Sequence, residues 1–311
     1  MVRFVQRALD SIEGPVDELL VSPSGSMLDE SEVPLDARRS IFELMASFRA
    51  PKVCIETRAE TVSQDTLDEL SATIPGKGIA VEMGVESSSP WVRRFCINKM
   101  GTANAFSHAV GLLKERRMRV YANLALGNAF LSPAEAVADA SRSVEWVLEN
   151  GADLALVFPM HVKPYTLLEW LYRRSWYHPP SLWSLVEVLV RTKSTSLLAV
   201  SAAWFRCDHA RELGMLASPS SCDRCRTRLL DRLSDFRAAP GAKTLSRLAS
   251  ESCECRAEWQ LQLGRTPAGS LPERVLACYD ELATGLGLSE WWAIHRHDIA
   301  DEMWRDAPVL A

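Results

Sequence analysis

Between residues 19 and 158, short apolar runs alternate with helical patterns of about a dozen residues. The runs Leu19–Val21, Val53–Ile55 and Leu154–Phe158 have the near-continuous apolar character of strands that are buried on both faces. This alternation predicts a parallel sheet covered by helices. An open doubly wound sheet and a barrel both satisfy it. No G-x-G-x-x-G or G-x-x-x-x-G-K-[ST] motif follows a strand, which counts against the common nucleotide-binding open sheets.

Signals for helix ends support this division of the chain. Ser63 can cap a helix over residues 64–73. A second helix has a sharper start, with Ser132 as the cap, Pro133 at the first helical position and Glu135 completing a capping box. We predict that this helix ends at Gly151, because glycine readily adopts the left-handed conformation of a helix C-terminus.

Bulk composition limits the classes of function. The chain has 311 residues, of which 47% are hydrophobic and 24% charged, with a net charge of −5. It can therefore form one large domain or two ordinary ones, and the overall charge gives no basic face for a non-specific polyanion. No apolar run approaches the roughly 20 residues that span a bilayer, and the N-terminus does not resemble a secretory signal. These features predict a cytoplasmic protein without membrane spans.

Polar residues fall at the carboxyl ends of the predicted strands, where βα barrels place their chemistry. Glu56 and Arg58 are two residues apart, so they share one strand face. Glu82 and Glu86 do the same if the next strand continues to residue 86. Carboxylates that point into a barrel are costly unless they are paired or bind a ligand, so a structural ion pair with Arg58 and a cationic ligand, such as a sulfonium or ammonium group, both stay open. The strand-end residues are Ser24, Ser26, Glu56, Arg58, Glu82, Glu86, Asn123, Asn128, His161 and Lys163.

The eight cysteines are unevenly spread, and five of them lie between residues 207 and 255. In a cytosolic chain this crowding favours a metal over disulfides. The pairs Cys222-x-x-Cys225 and Cys253-x-Cys255 suit four thiolates on one tetrahedral ion. Structural zinc is the first interpretation, and an iron–sulfur cluster is the alternative. Other candidate ligands are Cys207 and His209.

Five segments between about residues 15 and 190 carry a family resemblance: Ser24–Asp29 with Glu32 and Val33, Glu56–Glu60, Val85–Ser88, Ile97–Lys99 and Tyr177–Ser184. In their order and spacing they resemble one branch of the radical S-adenosylmethionine (SAM) superfamily. It is the branch around the archaeosine-synthase radical SAM subunit, and the Elongator catalytic subunit is a more distant relative.

The resemblance implies a partial βα barrel that binds SAM. Over residues 1–200 the chain would form this barrel, and residues 201–311 would form a mostly helical metal-binding segment. The implied SAM contacts are Ser24, Gly25 and Ser26 at the methionine amino group, Glu56, Arg58 and Glu86 at the methionine and ribose, and Asn123, Gly127 and the backbone from Phe158 to Met160 at the adenine.

The chain departs from the family in one motif. Radical SAM enzymes hold a [4Fe–4S] cluster with C-x-x-x-C-x-x-C, and these 311 residues contain no such motif. We expect the first strand of the barrel and the cluster loop to be missing. The exposed sheet edge that this leaves would invite another strand, so a homodimer is a reasonable expectation.

Three functions are therefore open. The first is polar SAM chemistry without a cluster: alkyl or aminocarboxypropyl transfer, or an intramolecular cyclisation or lyase reaction that releases methylthioadenosine. The second is a radical SAM enzyme whose cluster-bearing N-terminal part is absent from this chain. The third is a non-catalytic accessory protein for RNA modification, although the charge favours a small-molecule substrate over tRNA. The candidate base or orienting groups for the first function are Glu82, Glu86, His161 and Tyr165.

Overall fold

The computed structural model describes residues 1–23, 25–101, 103–192, 198–200 and 214–308. Its strands form a six-stranded sheet whose order follows the chain. The first strand pairs in parallel with the second, and the second pairs in parallel with the third. This order, with helices between successive strands, is the α/β arrangement that the alternation predicts. The strands are β1 Glu18–Val21, β2 Lys52–Thr57, β3 Gly78–Glu86, β4 Arg119–Leu126, β5 Leu154–Pro159 and β6 Leu198–Val200.

Helices connect the strands and dominate the C-terminal part of the chain. After β3 a short turn at Pro90–Val92 runs into a π-helical turn at Arg93–Ile97, which ends at Asn98 with a φ of 59°. The helices are α1 Val2–Asp10, α2 Leu35–Ser47, α3 Gln64–Thr73, α4 Ala103–Glu115, α5 Pro133–Glu149, α6 Leu167–Arg173, α7 Leu182–Arg191, α8 Asp223–Ala238, α9 Ala242–Ala249, α10 Glu254–Leu263, α11 Leu271–Gly285 and α12 Ser289–Arg305.

Local capping contacts fix the starts of α3 and α5 where the sequence predicts them. Ser63 Oγ accepts the backbone N–H of Thr66 at 3.2 Å, and the Thr66 hydroxyl accepts the Ser63 N–H at 3.0 Å. Ser132 and Glu135 make the same reciprocal pair at 3.3 and 2.7 Å. These bonds satisfy backbone donors that have no partner within the first turn of a helix.

Register gives the sheet two different faces in β2 and β3. Ile55 is paired with Val81, and both side chains are fully buried on the apolar face. Glu56 is paired with Glu82 on the opposite face, because side chains alternate along a strand. The sheet therefore carries two carboxylates side by side on this second face, a costly arrangement unless something neutralises them.

The chain divides into two compact units, which we describe separately. The predicted domain boundary at residue 200 adjoins residues 201–213, which lie outside the described residues, so that boundary stays a prediction. Within the described ranges, no helix is both long and apolar enough to cross a membrane. Unit 1 is Met1–Val85, Gly101–Asn123 and Val147–Ala155, and unit 2 is Glu86–Met100, Leu124–Trp146 and Leu156–Ala311.

Packing within unit 2 joins the last helices to the turn that follows β3. Trp91 Nε1 donates to the carbonyl of Met303 on α12 at 2.8 Å, and the Tyr279 hydroxyl of α11 donates to the carbonyl of Phe95 at 2.8 Å. Val275 is fully buried in the same apolar cluster. The C-terminal helices thus stabilise the segment that carries Ile97–Lys99.

Candidate active site and metal centre

The loop after β1 is bound to the end of β2 inside unit 1. Ser26 is fully buried, and its hydroxyl lies 2.6 Å from the Thr57 hydroxyl and 3.0 Å from the Thr61 hydroxyl. It also accepts the backbone N–H of Arg58 at 3.2 Å. Two of the sequence-predicted cofactor residues, Ser26 and Arg58, are therefore neighbours. Ser24 lies outside the described residues.

Glu32 organises this loop, although the sequence marked it only as part of a family segment. Its carboxylate accepts the Ser26 N–H at 2.6 Å and fills the space beside Gly25, where an added Cβ would collide with Oε2. Arg58 pairs with Glu32 at 2.5 Å and also with Asp29. The guanidinium therefore neutralises loop carboxylates, not the Glu56–Glu82 pair of the sheet.

Three acidic side chains extend along one face of the unit 1 sheet. Glu82 is buried and accepts Asn123 Nδ2 at 2.6 Å. Burial, with smaller contributions from Glu56 and Glu18, raises the pKa of Glu82 to about 6. Glu18 accepts the Tyr121 hydroxyl at 2.9 Å, and Glu56 accepts the Ser22 hydroxyl.

Glu86, a predicted catalytic and cofactor residue, lies in unit 2. It has a φ of 65°, which is uncommon for a residue with a side chain and often marks a functional position. Its carboxylate pairs with Lys99 Nζ at 3.0 Å. Lys99 is held by its own backbone N–H, which donates to the Arg93 carbonyl at 2.8 Å. This pair joins the two family segments Val85–Ser88 and Ile97–Lys99.

A cavity of about 460 Å³ lies within unit 2, next to residues that follow β4 and β5. This is the size range of small-molecule sites. Phe158, Met160 and His161, all predicted site residues, line it. Tyr165 does not, since its side chain is fully exposed. Other residues that line the cavity are Cys96, Ile97, Asn128, Ala129, Pro159, Lys163, Thr166, Leu167, Leu168 and Met215.

Asn128 lines this cavity and carries a buried acceptor without a partner among the described residues. Asp139 on α5 accepts the Ser87 hydroxyl at 2.7 Å and Asn128 Nδ2 at 3.5 Å. A carboxylate only accepts, so this contact orients Nδ2 towards Asp139 and Oδ1 away from it. Asn128 is 2% exposed, and its Oδ1 has no hydrogen-bond partner among the described residues. Burial raises the pKa of Asp139 to about 6.

His161 is neutral at the cavity wall. Its Nδ1 lies 3.0 Å from the Ser218 hydroxyl. Burial, and then the charge of Lys163, lower the pKa of His161 to about 4. At this pKa the imidazole is neutral near pH 7 but only weakly basic, so it is better suited to orient a substrate than to hold an abstracted proton.

Gly127 is fixed by the Tyr177–Ser184 segment. Its φ is 89°, its carbonyl accepts the Tyr177 hydroxyl at 2.8 Å, and an added Cβ would lie 3.0 Å from Pro180. This explains glycine at the end of β4.

We expect Gly127→Ala to lower the free energy of unfolding by about 1–2 kcal/mol, since a left-handed conformation is costly with a Cβ. Urea unfolding measures the change. Gly111→Ala in α4 is the control, because nothing lies within 4 Å of an added Cβ there. It should raise stability by about 0.5–1 kcal/mol. An unchanged Gly127 variant would contradict the conformational constraint.

Four thiols converge near the C-terminal helices, as the sequence predicts. Their sulfur atoms all lie within 4.8 Å of one another, and the closest sulfur–sulfur contacts are 3.4–3.6 Å. A tetrahedral ion with metal–sulfur bonds of about 2.3 Å would separate the sulfurs by about 3.8 Å, so one ion fits. The ligands are Cys222, Cys225, Cys253 and Cys255.

Both pairs lie at helix N-termini, where backbone N–H groups and the helix dipole stabilise thiolates. Cys222 occupies the N-cap position of α8, and Cys253 occupies that of α10. Trp183 Nε1 on α7 donates to Cys255 Sγ at 3.3 Å, and Trp259 Nε1 on α10 donates to Ser184 at 2.9 Å. The centre therefore fastens three helices together. Cys207 and His209 lie outside the described residues.

Comparison with known proteins finds archaeal relatives. No protein-family model matches the chain. It is 31% identical over 242 residues to archaeosine synthase subunit beta of Methanosarcina acetivorans, covering 76% of this chain and 66% of that protein. It is 34% identical over 196 residues to the protein of the same name from Thermococcus kodakarensis, covering 62% of this chain and 60% of that protein. The chain thus spans less than two thirds of these curated relatives.

A solved structure shares the fold. Elp3 of Methanocaldococcus infernus, with an N-terminal deletion, superposes with a TM-score of 0.50 over 76% of this chain and 58% of that one, at 17% identity. The predicted fold class, a partial βα barrel of radical SAM type with a four-cysteine segment, is confirmed.

Proposed function

Because the chain is related to the radical SAM-like branch that includes archaeosine synthase subunit beta, we propose that it binds SAM and catalyses a polar, non-radical SAM reaction. The cavity of unit 2 carries the proposal. It combines an aromatic ring at Phe158, a thioether at Met160 and the buried Asn128 acceptor. The 6-amino group of an adenine would supply the donor that Asn128 Oδ1 lacks, and a flat base can stack on the ring.

The spacing of the cysteines supports polar chemistry. The 311 residues contain no C-x-x-x-C-x-x-C motif, and the described residues contain one group of cysteines, whose four thiolates leave no open position on the ion. The sulfonium of SAM activates its neighbouring carbons for attack by a nucleophile. Such a reaction needs mainly positioning and desolvation, and neutral His161 at the cavity wall is our candidate for a group that orients the substrate.

A second candidate function is an accessory role in RNA modification. The observation that favours it is the name of the two archaeal relatives, which are called subunits of archaeosine synthase. A partner subunit would then supply the cluster-binding motif that these 311 residues do not contain. Product analysis separates the two candidates. Methylthioadenosine or S-adenosylhomocysteine formed without reductant supports polar chemistry, whereas no product from the isolated chain supports the accessory role.

We expect Phe158→Ala to weaken SAM binding about 10-fold, because stacking of a base on an aromatic ring contributes about 1–3 kcal/mol. Isothermal titration calorimetry of the full chain with SAM measures the loss. Phe4→Ala is the control, since Phe4 on α1 is 71% exposed and lies in unit 1. Equal affinity in both variants would place the cofactor outside this cavity.

For the four-cysteine centre we propose zinc with a structural role. The short sulfur–sulfur contacts favour one ion over a cubane cluster, because a cubane binds each thiolate to a different iron and spreads the sulfurs apart. Elemental analysis of the purified chain tests this. One zinc per chain supports the proposal, and iron with inorganic sulfide contradicts it.

A further inference from the structure

In the described part of the chain, the carboxylates on the acidic face of unit 1 have no salt-bridge partner, although Lys52 lies beside Glu18 in the register. Leu20 pairs with Cys54, so these two side chains lie on the same face of the sheet. Glu18 and Glu56 are each two residues away from one of them, and therefore lie on that face as well. Glu56 in turn pairs with Glu82. No Lys or Arg among the described residues forms a salt bridge with any of the three. Arg58, the nearest candidate in sequence, is bound to Asp29 and Glu32.

A second observation on the same face is independent of the carboxylates. Asn123 is 8% exposed and uses Nδ2 to donate to Glu82. Its Oδ1 is buried and has no hydrogen-bond partner among the described residues. The donors that contact the three carboxylates among the described residues, from Ser22, Tyr121 and Asn123, are neutral. The Arg119 guanidinium of β4 donates to the Tyr121 hydroxyl at 3.3 Å and not to a carboxylate. Glu82 is buried and Glu56 is half-buried beside this unpartnered oxygen, and a donor-rich cation would satisfy both the charge and the acceptor.

The geometry distinguishes between kinds of cation. A metal ion needs at least three ligand atoms close together, and in the described residues only the four cysteines offer such a group. A sulfonium has charge but no N–H donor. An ammonium offers three N–H donors, and a guanidinium offers five in a planar fork.

We infer that this face of unit 1 binds an organic ammonium or guanidinium group of a co-substrate, in contact with Glu56, Glu82 and Asn123. This inference rests on the proposed function, because it names the chemistry of the second reactant. Glu82 acts here as a binding group. Its carboxylate gains a charged partner in place of the water that burial removes.

The test is calorimetry on the full chain with n-butylammonium and butylguanidinium, with 1-butanol as the neutral probe of similar size. We expect at least one cation to bind and the alcohol not to bind. Glu82→Gln and Glu56→Gln should each weaken the cation at least 10-fold. Glu115→Gln is the matched control, because Glu115 lies on the exposed end of α4 in the same unit. Circular dichroism confirms that each variant is folded.

Several results would overturn the inference. Equal binding of the alcohol would show an apolar site, and unchanged affinity in both glutamine variants would show that the carboxylates are not involved. Displacement of the bound amine by Mg²⁺ would indicate a metal site. Displacement by SAM would assign the face to the amino group of SAM itself. The proposed function is tested separately, by titration with SAM in the absence of amine. If the chain binds the amine but not SAM, the cation site is supported and the proposed SAM reaction is rejected.

Discussion

Replacing Cys225 with serine is expected to release the metal ion and to unfold α8 and α10. Cys225 is fully buried between Cys222 and Cys255, at 3.6 and 3.5 Å. A serine hydroxyl stays protonated near pH 7 and is a poor ligand for zinc. Binding of structural zinc to small peptides contributes about 10–16 kcal/mol, so losing one of four ligands should cost on the order of 5 kcal/mol.

Two measurements check this expectation. Elemental analysis should fall from one ion per chain to nearly none, and hydrogen exchange should rise in α8 and α10 before it rises in the sheet. Cys278→Ala is the control, because this cysteine is buried in the same unit but lies outside the four-thiol group. It should keep the metal. A Cys225→Ser chain with full metal content would mean that the sulfurs do not share one ion.

The features that could be predicted from sequence are those set by neighbours along the chain. The reciprocal bonds of Ser63 with Thr66 and of Ser132 with Glu135 span three residues, so the starts of α3 and α5 follow from local pattern. The metal centre follows from two close cysteine pairs. The recognition of the family likewise depended on short segments, and the relatives found by comparison support it.

The contacts that could not be predicted join segments far apart in sequence. Arg58 meets Glu32 and Asp29 across 26 and 29 positions, and no spacing rule gives this pairing. The exposure of Tyr165 depends on how the loop before α6 turns. One distant contact did leave a signal. Asp139 lies among Ala136, Ala140 and other buried small residues of α5, and a carboxylate on an apolar helix stripe requires a polar partner.

Asp139→Ala is expected to lower the free energy of unfolding by about 1 kcal/mol at pH 7, because removal of the buried charge offsets much of the lost hydrogen bonding. The change leaves the Ser87 hydroxyl and Asn128 Nδ2 without their acceptor in a buried place, and each unsatisfied group costs about 1–3 kcal/mol. It should also weaken SAM binding, because Asn128 loses the contact that orients its amide. Urea unfolding and calorimetry with SAM measure the two effects. Ser141→Ala, on the same helix, is the control and should change neither strongly.

Asp139→Asn should have the opposite effect on stability. The pKa of Asp139 is raised to about 6 from 3.8, so the folded wild type binds more protons than the unfolded chain between about pH 4 and pH 6. Its stability therefore falls as pH rises through this range, and the asparagine variant lacks that slope. At pH 7 the variant should be more stable by about 3 kcal/mol, since each pKa unit is worth about 1.4 kcal/mol.

The same substitution should nevertheless impair the cavity. The side-chain amide introduced by Asp139→Asn would place its own N–H₂ towards Asn128, so the Asn128 amide would turn and present Nδ2 where it now presents Oδ1. A donor would then face the 6-amino group of adenine, so we expect SAM affinity to fall at least 10-fold. We also expect the affinity for inosine to rise relative to the affinity for adenosine. Calorimetry with adenosine and inosine reads out the change. If the more stable variant binds SAM as well as the wild type, then Asn128 does not select the base, and the cavity needs another occupant.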